Sequence, residues 1–172
     1  MLRSLSLLVA ALVLGGCDTA ALDSQRAFEV GLLLTPPEGI TRTDETGAVV
    51  SRDPSDWRVG PAFATRVRFL ALPFPNPVRR SGTLSMAVDV TGGLPGPLDV
   101  VPLFQNPQTG ELEFPPPGSP PIDRCRSAVE TTICSFSVNP AQIDLTNRGG
   151  VYRVALLSGA QVVSYGDVEV QL

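Results

Sequence analysis

The 172-residue chain has no histidine and no lysine. Without His there is no Ser–His or Cys–His nucleophile. Without Lys there is no Ser–Lys dyad, although Ser81 lies beside Arg80. No Gly-x-Ser-x-Gly elbow and no phosphate-cradling Gly loop is present. Charged residues are only 17% and aromatics 6%, with one Trp. All 13 basic residues are Arg, against 17 acids, for a net charge of −4. The largest basic cluster is Arg79-Arg80. This argues against nucleic acid as a partner and against a polybasic membrane patch. Neighbouring acids (Asp44-Glu45, Glu111 and Glu113, Asp167 and Glu169) read as solvated positions rather than a pair across a cleft. No enzyme and no cofactor is expected; a carboxylate-only or metal-assisted hydrolase is the minor alternative.

What is present is 43% hydrophobic residues, 17 Pro and 16 Gly. That suffices for a packed core, interrupted by many turns and poor in long helices. Leu5 to Leu14 is apolar apart from Ser6, after a single positive charge at Arg3. It is too short for a span of about 20 residues, and it ends at Leu14-Gly15-Gly16-Cys17. This is the pattern of a secretory signal peptide. The Cys after small residues resembles the lipobox of bacterial lipoproteins. That resemblance implies cleavage before Cys17 and lipid on its thiol and new amino end, with the membrane as partner. Ordinary secretory cleavage after Gly16 is the competing reading. There are three Cys, and an odd thiol in an exported protein needs an explanation. Lipid on Cys17 supplies it and leaves Cys125 and Cys134 to pair in an oxidising compartment. Closing a loop of that size stabilises by about 2.5 kcal/mol in the chain-entropy model. A metal site on the pair is the weaker alternative, since four ligands cannot be completed from it.

The expected organisation is a signal peptide at 1–16, a lipidated tether at 17–26, a β-rich N-terminal arm at 27–63 and a sandwich at 64–172. Ala27 to Leu34 reads as a first strand that Val49-Val50 closes into a hairpin. Trp57 is read as a packing anchor for the arm, and Asp53 and Asp56 as solvated turn residues rather than Ca2+ ligands. Ala64 to Leu72 alternates, with Val67, Phe69 and Ala71 on one face. Pro73-Phe74-Pro75-Asn76-Pro77 is expected to stop that strand. In Gly82 to Val90, Leu84, Met86, Val88 and Val90 face inward. Leu98 to Gln105 is a strand that Pro102 marks as an edge. Phe114 to Pro121 is an extended, polyproline-type surface segment, read as a stiff crossover rather than a docking peptide. Val129 to Val138 is a strand, and Asn139 to Gln142 a single helical turn. Val151 to Leu157 and Val162 to Leu172 form a closing hairpin, with Tyr152, Val154 and Leu156 sharing one face. Nothing after Cys17 reads as a long amphipathic helix. The fold class is an all-β, antiparallel, Ig-like sandwich.

Phe74-Pro75-Asn76-Pro77 before an alternating strand, and Gly150-Val151-Tyr152-Arg153-Val154-Ala155-Leu156 near the end, resemble Ig-like C-terminal modules of Bacteroidetes-type exported proteins. Those modules are akin to type IX secretion sorting domains and the Ig-like domain of the flagellar hook-capping protein. The resemblance covers residues 64–172. It implies a sandwich in the envelope without catalytic residues. The final Asp167-Val168-Glu169-Val170-Gln171-Leu172 lacks the basic residue of sorting domains. Tyr152 is expected to act as a corner residue, its hydroxyl bonding the Gln142–Arg148 connection. The expected function is a non-enzymatic envelope lipoprotein binding a protein or glycan, or a structural module, through loops around Trp57, Asn76 and Cys125. A secretion- or attachment-related domain is the alternative.

Overall fold

The computed structural model describes residues 21–37, 39–126 and 132–172. A helix, α1, covers residues 21–34. Thirteen strands follow among the described residues: β1 (Arg42–Thr43), β2 (Val49–Ser51), β3 (Arg58–Val59), β4 (Val67–Phe74), β5 (Val78–Arg79), β6 (Leu84–Val90), β7 (Leu98–Pro102), β8 (Phe104–Gln105), β9 (Leu112–Glu113), β10 (Asp123–Cys125), β11 (Thr132–Val138), β12 (Gly150–Ser158) and β13 (Gln161–Gln171). The larger sheet has the order β10-β7-β12-β13-β3, with β5 running parallel to the end of β13. The smaller sheet is β11-β6-β4. All pairings other than β5–β13 are antiparallel. The fold is an all-β antiparallel sandwich, with α1 laid on the outer face of the larger sheet.

The period-2 side-chain pattern explains the layers. On β6, Leu84, Met86, Val88 and Val90 are all buried, and on β11 so are Cys134, Phe136 and Val138. They meet Leu98, Val100, Val154, Leu156, Val168 and Val170 of the larger sheet in one apolar cluster. The Cys125–Cys134 disulfide forms, with Cα atoms 5.7 Å apart. It ties β10, at one edge of the larger sheet, to β11, at the same edge of the smaller one. The first part of the expected strand at Val129 to Val138 lies outside the described residues. The expected helical turn is present as a 3-10 turn at Pro140–Gln142, capped by the Asn139 side chain accepting from the Ala141 N–H.

Four expectations are corrected. Residues 27–34, read as a strand, are helical, as are 21–26, read as tether. The hairpin is made by β1 with β2 instead. Gln25, Phe28, Glu29 and Leu32 point to the sheet at i, i+3, i+4 and i+7, a helical period hidden by two polar members. β7 is an inner strand, between β10 and β12. Pro102 is tolerated because β10 reaches only to Val100, so the missing N–H faces no partner strand. β4 runs on through Pro73 to Phe74. Irregularities between Phe69 and Ala71 and between Ala71 and Phe74 shift its register, so that Leu72 rather than Ala71 packs on the core.

Trp57 is 2% exposed and lies in the main cluster, edge-on to Phe69 at 5.9 Å. It has a φ of +55°, and its backbone N–H donates to the Tyr165 carbonyl. Gly166 is what makes room for the indole. A Cβ there would collide with the ring of Trp57 at Cε2 and Nε1. Gly166→Ala should therefore cost about 2–3 kcal/mol by overpacking. A lowered urea midpoint for this variant checks this; an unchanged midpoint would mean that the indole moves freely.

Candidate functional site

α1 is seated by polar side chains as well as apolar ones. At its first turns, the Gln25 amide donates to the Val162 carbonyl at 2.9 Å and accepts from the Ala62 N–H at 3.1 Å. Glu29 accepts from the Val162 N–H at 3.3 Å. These bonds serve a stretch of β13 where the pairing with β12 is irregular: Leu156 faces Ser164, but Leu157 faces Val162. The Phe28 ring lies tilted against that of Tyr165 at 4.9 Å, and Leu32 packs with Leu103, Leu112 and Ala155. Gly31 lets the Tyr165 hydroxyl approach the helix backbone.

At the other end of α1, Arg153 of β12 reaches up from the sheet. Its Nε and Nη2 donate to both carboxylate oxygens of Asp167 at 2.8 and 2.9 Å. Both residues are buried, at 4% and 2% exposure. Nη1 donates to the carbonyls of Leu32 and Thr35, and Nη2 to that of Pro36. A guanidinium thus satisfies carbonyls that the helix C-terminus leaves unpaired, at the negative end of its dipole. It also lies over the Tyr165 ring at 5.3 Å. Asp167, expected to be a solvated acid, is the buried counter-ion of this clamp.

Beside α1 the structure leaves an open groove of about 640 Å3. One wall is the helix, through Val30 and Leu33. The opposite wall is the proline segment, through Phe114 and Pro115 to Pro117. The floor is the outer face of the larger sheet, at Val101 and Leu157. At the rim, Arg124 makes a two-pronged ion pair with Asp99 at 2.6 and 2.8 Å. The proline segment, read as a crossover between sheets, is one side of a cleft.

The expected site residues fall elsewhere and do not converge. Cys17 lies outside the described residues. Of the residues that centre the expected loop surface, Trp57 and Asn76 are themselves buried, at 2% and 0% exposure, and Cys125 is half-buried. The Asn76 amide donates to the carbonyls of Thr41 and Asp167 and accepts from the Glu169 N–H. Tyr152 is a corner residue of a somewhat different kind. Its hydroxyl lies 2.7 Å from Asp144 Oδ1, with the Gly149 carbonyl at 3.2 Å. Asp144 also accepts from the N–H groups of Arg148 and Gly149 and from the Thr146 hydroxyl. Burial pushes this carboxyl up, but the hydrogen bonds outweigh it and hold the group well below the usual carboxylate range.

Asp56 is the reverse case. It is buried and accepts from the N–H groups of Thr41 and Asp167. Burial pushes its carboxyl up to about 6, with the Asp167 charge adding to the shift. Burial also raises Asp167 above its ordinary value, against the pull of Arg153. Asp53 is engaged by the Ser55 hydroxyl and backbone N–H. Among the described residues, no group of three or more His, Cys, Asp or Glu is placed to hold a metal ion, and no helix is long and apolar enough to cross a membrane.

No family model and no curated protein sequence matches the chain. Among solved structures, the fold is similar to part of the β-glucosidase from Listeria innocua in complex with glucose, at 14% identity and a TM-score of 0.42. That match covers 71% of this chain and 17% of the enzyme. A mutant of the same enzyme in complex with laminaribiose gives a TM-score of 0.41 at 14% identity, with the same coverage. The chain thus spans about a sixth of the enzyme's length.

Two outcomes follow from the clamp and the buried acids. Arg153→Met should destabilise by about 3–5 kcal/mol, since it strands a buried carboxylate. Backbone amides of α1 should lose hydrogen-exchange protection first; equal protection in variant and parent would show that the clamp does not hold the helix. The pH dependence has two limbs. The native state binds a proton at Asp56 more tightly than the unfolded chain, whose Asp titrates near 3.9. Stability from this group is therefore full below about pH 4 and is lost as pH rises through about 6. Asp144 acts in the opposite sense: its stability is present above about pH 4 and is lost on acidification. Urea midpoints should peak at mildly acidic pH, and Asp56→Asn should flatten the decline towards neutrality. A midpoint rising from pH 5 to 7.5 would contradict the Asp56 assignment.

Proposed function

We propose that the protein is a non-catalytic cell-envelope lipoprotein, anchored by lipid on Cys17, whose sandwich is a binding or structural module. The observation that carries this reading is the groove beside α1. It is a concave surface with apolar walls, and the carboxylates that line it, Glu29 and Asp99, hold the Val162 N–H and the Arg124 guanidinium. A surface of this kind suits an apolar or mixed partner rather than a bond-breaking reaction. Three buried acids are engaged within the fold. Asp56 holds two backbone amides, Asp167 holds Arg153, and Asp144 holds a hydrogen-bonded corner.

The disulfide supports an oxidising compartment outside the cytosol. The leader ending in Leu14-Gly15-Gly16-Cys17 supports export and lipid attachment. In the producing cell, the natural protein should fractionate with membranes and incorporate labelled fatty acid, with a mature chain beginning at Cys17. Cys17→Ser should lose the label. Intact-mass measurement decides: an unmodified Met1, or a mature chain without added lipid, would sink the anchoring.

A further inference from the structure

α1 has a second apolar side. Leu22, Val30 and Leu34 are 67%, 46% and 72% exposed. With Arg26 they stand at successive i+4 positions and so form one ridge along the helix. The ridge lies away from Gln25, Phe28 and Leu32, which face the sheet. Val30 and Arg26 also line the groove, and across it Phe114 is 38% exposed. A soluble helix that lies on a sheet normally has one apolar face and a charged outer one. Here the outer ridge is apolar, with a single Arg in it.

The sequence says what this surface meets. Only residues 18–20 separate Cys17 from the described start of α1. Four peptide units reach at most about 14 Å. If Cys17 carries lipid, the start of α1 is held within that distance of the bilayer surface. We propose that the Leu22-Arg26-Val30-Leu34 ridge, with Phe114 and the prolines beside it, docks on the lipid surface, which is thus the partner of the groove side. This rests on the lipid reading of Cys17.

A helix of this kind lies in the interfacial plane with its apolar side a few ångströms into the acyl boundary. Arg26 can keep its guanidinium among headgroup phosphates while its methylenes stay in the apolar layer. The docking is driven by apolar burial, since the chain is acidic overall and the ridge offers one cation. The acidic neighbour Asp23 sits on the same outer side and is exposed. Binding is therefore expected on zwitterionic lipid as well as anionic lipid, with weak dependence on salt. Docking would fix the sandwich with its larger sheet towards the membrane and its smaller sheet outward.

The test uses the mature chain with Cys17→Ser, which carries no lipid, in flotation with phosphatidylcholine vesicles, with and without phosphatidylglycerol. The protein should float with both. The triple variant Leu22→Ser, Val30→Ser, Leu34→Ser alters exposed positions only, and unchanged circular dichroism and urea midpoint would show that it folds. It should bind at least about tenfold more weakly, given the transfer free energy of three such side chains. Absence of flotation by the parent, or equal flotation by the triple variant, overturns the proposal. So does concentration-dependent dimerisation without flotation, which would give the ridge to a second copy. Because this protein carries no lipid, flotation reports on docking alone, while the mass of natural Cys17 reports on anchoring alone.

Discussion

The fold depends on one buried ion pair. Arg153 and Asp167 face each other across the β12–β13 ladder, on the side of the larger sheet that points away from the sandwich core. An unpaired charge there would be prohibitive, and the pair alone would scarcely offset its desolvation. The geometry of the guanidinium tips the balance. Two donors serve the carboxylate and the remaining ones serve carbonyls at the end of α1. The sheet therefore dictates where the helix ends. Gln25 and Glu29 fix its other end through the irregular stretch at Val162. The helix, held at these places, forms one wall of the groove above Val101 and Leu157.

Polar groups throughout the molecule are used in this internal way. Asn76 stitches Thr41 to β13 through three bonds, and Asp56 does the same with two. Asp144 organises the turn before β12 under the Tyr152 hydroxyl. These networks join segments remote in sequence, so they take over the work that strand pairing does elsewhere. They also explain how residues 39–63, with only short strands, stay fastened to the sandwich. β3 contributes two paired residues to β13, and Trp57 fills the notch at Gly166.

Much of this architecture was legible from alternation. The inward faces of β6 and β11, the closing hairpin and the Cys125–Cys134 link follow from a period of two and from counting thiols. Trp57 as an anchor and Tyr152 as a corner were legible from residue type, though the aspartate receiving the Tyr152 hydroxyl was not. α1 was obscured because its sheet-facing positions include Gln25 and Glu29, whose role appears only once the backbone irregularity opposite them is seen. Gly31 obscured it further, since it interrupts the apolar run where the Tyr165 hydroxyl needs the space. The groove was illegible for a related reason. Its walls come from segments about 80 residues apart, brought together by the sheet, and no local pattern encodes that meeting.

The outer margin of the smaller sheet has a consequence of its own. β4 is the last strand there, and an open strand edge invites another chain to add to it. β4 answers with two breaks in register, a proline at position 73 and the charged Arg68. A second copy approaching β4 therefore finds no uninterrupted row of amides to zip onto. Whatever crowds against this margin meets a broken seam rather than a continuous one.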